Sequence, residues 1–244
     1  MFITGYLRAL YLHVTDKISK EDDYLFQGKR RRLAEQLRQK GIRDPRVLAA
    51  IEKIPRHLFF DAQTDRPALL DHAYSDKALP IGAGQTISQP YTVAFQTEQL
   101  DIKQGEKVLE IGTGCGYQTA VLLEMGARVF SIERQKLLFE KTRLFLPSIG
   151  YRAAKLMYGD GYKGFPQFAP FDKVIVTAAA PYIPNDLLLQ LKVGGMMIIP
   201  QGEGEVQEMI WLKKNSETNF DRKSMGAFRF VPLLQNKSGD FKTK

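Results

Sequence analysis

The chain is poor in residues that staple a protein or hold a metal. A single cysteine, Cys115, in 244 residues excludes an internal disulfide. That usage suits a reducing compartment, and the cytoplasm is the expected location. The three histidines, His13, His57 and His72, fall at no spacing that a metal site uses, so no metal is expected. No apolar run is long enough to cross a bilayer. The first twenty residues, "MFITGYLRALYLHVTDKISK", come nearest. Arg8 and His13 interrupt them, and no small-residue cleavage site is evident. Residues 1–20 therefore read as an extension outside the domain or a misassigned start, and no membrane partner is expected. The remaining composition is ordinary, 44% hydrophobic and 25% charged, and the length allows one sizeable core. A net charge of +8 admits an acidic partner without bearing on fold.

Two helices open the ordered pattern. "DYLFQGKRRRLAEQLRQKG" repeats apolar residues at helical spacing, with Leu25, Leu33 and Leu37 on one face and Gly41 as a stop. "DPRVLAAIEKIP" has Asp44 to cap it, Pro45 in its first turn and Pro55 beyond its end. The basic run "GKRRR" could touch phosphate, but a solvated helix face is the preferred reading. From residue 105 the rhythm changes. "EKVLEIG", "ARVFSIE", "KLMYGD", "FDKVIVTAA" and "GGMMIIP" are short apolar runs, and the stretches 117–126, 135–147 and 184–192 have helical spacing. Such alternation predicts a parallel sheet covered on both faces. "VQEMIWLKK" and "FRFVPLL" then leave no room for a helix between them, which predicts an antiparallel hairpin at one sheet edge. "NKSGDFKTK" reads as a loose tail.

The strand "KVLEIG" runs into "GTGCGYQTA". Gly112, Gly114 and Gly116, with Thr113 between the first two, allow a sharp turn and close backbone approach to a ligand at a helix N-terminus. The spacing is Gly-x-Gly-x-Gly, with Tyr117 where a dinucleotide fingerprint has its third glycine. Glu110, two residues upstream, would repel a pyrophosphate and attract a cationic amino group. S-adenosylmethionine carries such a group and no phosphate. Glu133, ending the next strand, can accept both ribose hydroxyls. Asp160 and Gly161, after the third strand, are placed to meet an adenine amino group. Singly each is a turn or cap residue; at three successive strand ends they predict an S-adenosylmethionine site. Cys115 has no basic partner in view and reads as a small loop filler, not a nucleophile. Thr177, at the fourth strand's end, either faces the cleft by position or serves as a buried cap.

Upstream lies "PIGAGQTISQPYT", two glycines and two prolines among small polar side chains. Ser88 sits in its middle with no acid or histidine placed to activate it. On local pattern alone it is an N-cap for the helix that Pro90 begins.

In order and spacing, "PIGAGQTISQPYTVA", "VLEIGTGCGYQTAVL", "FSIER", "GDGYKG", "FDKVIVTAAAP", "LKVGG" and "FRFVPLL" resemble the protein-L-isoaspartate O-methyltransferases, and "IPRHLF" at 54–59 is similar to that family's entry segment. The resemblance covers residues 21–236. It implies the class I S-adenosylmethionine methyltransferase fold: a doubly wound, mostly parallel seven-stranded sheet with a C-terminal antiparallel hairpin. The implied domain has an N-terminal helical segment, 21–80, and a cofactor and substrate core, 81–236, with a tail, 237–244. The implied reaction transfers a methyl group from S-adenosylmethionine to the α-carboxylate of isoaspartyl residues in damaged proteins and peptides. By resemblance Ser88 is catalytic, and Thr86, Ile87, Val231 and Pro232 meet the substrate. Cys115 stands where serine is commoner, and residues before 21 have no counterpart. The implied enzyme is a monomer that binds no nucleic acid. A nucleic-acid methyltransferase is the alternative that the charge and "GKRRR" favour; the fourth strand leads into "TAAAP" and not into a base-clamping Asn-Pro-Pro-Tyr type motif.

Overall fold

Residues 24–61 and 67–238 are described by the structure, a computed structural model. Residues 1–20 and the last six, with the expectations that fall on them, lie outside that range. Three helices lead: α1 (Tyr24–Gln39), α2 (Pro45–Lys53) and the single turn α3 (Leu58–Asp61). Asp44 caps α2 as expected, accepting from the amide of Arg46 at 2.8 Å. On α1, Leu33 and Leu37 are buried but Leu25 is 55% exposed, so the predicted three-leucine face is two leucines wide. The basic run is only partly a solvated face. Arg31 pairs with Glu52 at 3.6 Å, and Arg30 is buried.

A small hairpin comes next, β1 (Leu79–Gly82) and β2 (Gln85–Ile87), and then α4 (Pro90–Gln99). The main sheet is built from β3 (Lys107–Ile111), β4 (Arg128–Glu133), β5 (Lys155–Tyr158), β6 (Phe171–Val176), β7 (Leu191–Gln201), β8 (Gln207–Lys214) and β9 (Phe220–Phe228). Helices α5 (Tyr117–Glu124), α6 (Lys136–Ser148) and α7 (Asn185–Leu189) connect its parallel strands. The strand order is β5-β4-β3-β6-β7-β8-β9, parallel from β5 to β7 and antiparallel thereafter. The seven-stranded, mostly parallel α/β sheet expected from the sequence is therefore present.

Near-continuous apolar strands make sense in a sheet buried on both faces. Successive side chains point to opposite sides. Val108, Val129, Ile175 and Ile198 join one core with α1, α2, α4 and α5, while Leu109, Phe130, Val174 and Met197 join the other. Each such side chain, wholly buried, contributes roughly 1.5–3 kcal/mol.

The predicted hairpin is displaced. The second strand is β9, residues 220–228, which lies mostly in the stretch read as its turn. Its run "FDRKSMGAF" is polar because it forms the solvated edge of the sheet, where charge blocks further pairing. Past Phe228, which ends β9, the rest of "FRFVPLL" is instead a strap. The amide of Ala179 donates to the carbonyl of Val231 at 2.8 Å, and that of Leu233 to the carbonyl of Ala179 at 2.6 Å. The tail is docked further than expected: the Ser238 amide donates to the Arg134 carbonyl at 3.0 Å. Among the described residues no helix is long and apolar enough to cross a membrane, and no cluster of three or more His, Cys, Asp or Glu could hold a metal.

Candidate functional site

The carboxyl ends of β3, β4 and β6 open into a cleft lined by the turn after β3, the end of β4 and the end of β6. Its floor is the turn after β3. Gly112 has a φ of +98°, and a Cβ there would stand 2.4 Å from the hydroxyl oxygen of Thr177. Only glycine fits. Thr177 donates that hydroxyl to the carbonyls of Ile111 at 2.9 Å and Gly112 at 2.8 Å, tying the end of β6 to the turn. Gly114 is held from two sides. Its amide donates to Glu133 at 2.8 Å, and its carbonyl accepts the Thr142 hydroxyl at 2.6 Å.

Glu133 lies on the cleft wall and is nearly buried. One oxygen accepts from Gly114 and the other from the amide of Gln135 at 2.7 Å. Burial pushes its carboxyl above the ordinary value, while the backbone amides pull it down. A carboxylate can accept about four hydrogen bonds, so capacity toward a ligand remains.

The strip above is the β1–β2 hairpin and the residues just beyond it. Ile81 packs close over Gly114, so the strip meets the Gly-rich turn directly. Thr86, Ile87 and Ser88 line the cleft together with Val231 and Pro232 of the strap. Ser88 does not cap α4. The N-cap position is Gln89, without a side-chain cap bond, and Asp76 accepts the Tyr91 amide at 2.7 Å from outside the helix. The Ser88 hydroxyl has no hydrogen-bond partner among the described residues. Its carbonyl does have one: Nη2 of Arg56 donates to it at 2.8 Å, and Nε of Arg56 donates to the Ala73 carbonyl at 3.0 Å. Arg56 is wholly buried, with its guanidinium 4.6 Å from the Tyr117 ring centroid. It thus links the entry segment, the strip and the start of α5. Sequence reading missed Arg56 and Asp76, since nothing local signals contacts 32 and 15 residues away.

Of the predicted site residues, Thr86, Ile87, Ser88, Gly112, Thr113, Gly114, Glu133, Gly161, Val231 and Pro232 line this cleft. Three do not. Glu110 is fully buried beneath α5, accepting the Thr119 hydroxyl at 2.5 Å, and does not line the cleft. Desolvation raises its pKa to about 7. Gly116 begins α5 with a φ of +89° and faces Leu146, which leaves no room for a Cβ. Asp160 stands on the wall of a neighbouring depression, accepting the amides of Tyr162 at 2.9 Å and Asn236 at 3.0 Å. Cys115 fits the filler reading: it is buried, and burial pushes its thiol up to about 11.

Residues 28–238 match the family model for protein-L-isoaspartate(D-aspartate) O-methyltransferase. The chain belongs to that family. Curated relatives named protein-L-isoaspartate O-methyltransferase include one from Christiangramia forsetii, 58% identical over 89% of this chain and 100% of its own length. Another, from Flavobacterium psychrophilum, is 57% identical over 87% of this chain and 97% of its own. A solved protein-L-isoaspartate O-methyltransferase superposes with a TM-score of 0.76 at 29% identity, covering 85% of this chain and 66% of that one. A Plasmodium falciparum structure in complex with S-adenosyl-L-homocysteine has a similar fold, with a TM-score of 0.72 at 23% identity over 85% of this chain and 99% of that one.

Proposed function

We propose that this chain transfers a methyl group from S-adenosyl-L-methionine to the α-carboxylate of L-isoaspartyl residues in damaged proteins and peptides. The carrying observation is the Ser88 hydroxyl, without a protein partner among the described residues, on a residue that lines the same cleft as the Gly112–Gly114 turn and Glu133. The donor's residues fit. Glu133 retains capacity for ribose hydroxyls, and the Gly-rich turn keeps side chains out of the floor. Gly161 borders the end where an adenine ring would lie, and Asp160 stands just beyond it. When bound, S-adenosyl-L-methionine supplies an electrophilic methyl group on a sulfonium sulfur.

The rest is orientation by this chain. A carboxylate substrate, with a reference pKa near ~4, is ionised at neutral pH and needs no general base. That accounts for a catalytic serine with no acid or histidine behind it. The Ser88 hydroxyl donates to one carboxylate oxygen and leaves the other free. Arg56 fixes the backbone that carries the hydroxyl. Val231 and Pro232 wall the substrate side. Holding reactants in line supplies roughly 7–11 kcal/mol where geometry is productive. The methyl ester then loses methanol as the adjacent backbone nitrogen closes a succinimide, and hydrolysis reopens part of it as normal aspartate. This reading extends to a cytoplasmic monomer that acts on protein and not on nucleic acid. The test is methyl incorporation into two peptides that differ only in isoaspartate against aspartate. Incorporation confined to the isoaspartyl peptide is expected; equal incorporation, or none, contradicts the reading.

A further inference from the structure

The cleft does not stop at Ser88. Thr86, Ser88, Thr177 and Val231 also border a second depression, and Gln89, Thr92 and Arg229 carry that one into a third, between α4 and the end of β9. Arg229 stands at the junction of these two outer depressions. Its backbone is pinned on both sides. The Phe228 ring packs 5.0 Å from Phe95, and the Phe230 amide donates to Gln207 at 2.9 Å. Its own side chain is exposed and has neither ion pair nor hydrogen bond among the described residues.

The charge around it is one-sided. Asp76 is the one acid among the described residues bordering the second depression, and Lys40 at 2.5 Å already matches it. Lys77 borders the same depression, exposed and without a counter-ion among the described residues. No acidic residue among those described borders the third. A cationic path thus runs outward from the reaction site, through a pinned arginine that the fold itself does not use.

We propose that Arg229 is a specificity-determining residue, favouring isoaspartyl peptides with an acidic side chain beside the isoaspartate, seated in the groove between α4 and β9. The proposal rests on the isoaspartyl reading of the cleft. Exposed ion pairs contribute about 0.2–1 kcal/mol, roughly a 1.4- to fivefold effect, and salt screens them.

The test uses the full chain and isoaspartyl peptides carrying Glu, Gln or Lys immediately before or after the isoaspartate. For at least one flank, KM should be about threefold lower with Glu than with Gln, and the gap should close in high salt. Arg229→Gln should erase the gap. Arg229→Glu should reverse it in favour of Lys, an inversion that a merely structural role would not produce. Methylation by the unmodified chain with no charge preference, or a Glu preference that survives in Arg229→Glu, overturns the proposal alone. Failure to methylate any isoaspartyl peptide overturns the parent reading and this one with it.

Discussion

Ser88 and Glu110 show how side chains of simple chemistry take their roles from direction. Ser88 has its carbonyl fixed by Arg56, lines the cleft, and keeps its hydroxyl without a partner among the described residues. A hydrogen bond to a charged group is worth about 1.5–3 kcal/mol. Ser88→Ala is accordingly expected to lower kcat on an isoaspartyl peptide roughly 10- to 100-fold while leaving S-adenosylhomocysteine affinity unchanged by calorimetry. An unaltered kcat would remove the assignment. Glu110 points the other way, into the core, and its folded pKa of about 7 lies above its ordinary value of 4.5. A raised folded pKa means that the native state holds this proton more tightly than the unfolded chain. Stability is therefore full below pH 4.5, declines as the unfolded chain releases the proton, and the loss is complete above about pH 7. The size is on the order of 3 kcal/mol at ~1.4 per pH unit. Glu110→Gln should therefore gain stability relative to the parent on going from pH 4 to pH 8, as read by denaturant melts at each pH. A constant difference would contradict a buried carboxyl whose pKa is raised by desolvation. At this scale the sequence made residue types and strand ends legible. It did not make direction legible: Glu110, Gly116 and Asp160 were placed at the right strand ends, yet they face α5, Leu146 and a neighbouring depression.

Among elements, the turn after β3 was readable because its constraint is local. Three glycines within five residues, at φ of +98°, +55° and +89°, can be recognised without knowing what packs on them. Gly112→Ala introduces a Cβ 2.4 Å from Thr177 at a φ that suits glycine. It is expected to cost about 1–3 kcal/mol, lowering the melting temperature and S-adenosylhomocysteine affinity together. Unchanged affinity would mean the turn is not the cofactor floor. The C-terminal elements were not readable in the same way. A solvated edge strand such as β9 lacks the apolar signature of its neighbours, and "VPLL", beyond that strand, is apolar because it walls a cleft and not because it joins the sheet. Apolar pattern reports burial, and here burial and strand pairing separate.

On the scale of the whole molecule, the site is assembled from segments distant in sequence. Arg56 and Ala73 lie before the hairpin, Ser88 after it, Glu133 at β4, and the strap beyond residue 228. Short motifs marked most of these pieces, because each meets the cleft through a few consecutive residues. The bonds between pieces, such as Arg56 to Ser88 or Asn236 to Asp160, could not be read from spacing. The most direct measurement of the central claim is a crystal structure of this chain soaked with S-adenosylhomocysteine. The account predicts the ribose hydroxyls on Glu133, the homocysteine sulfur over the Gly112–Gly114 turn, and the Ser88 hydroxyl facing that sulfur across a gap wide enough for a carboxylate. A nucleoside bound outside this cleft, or a Ser88 strip turned away from the sulfur, would contradict it.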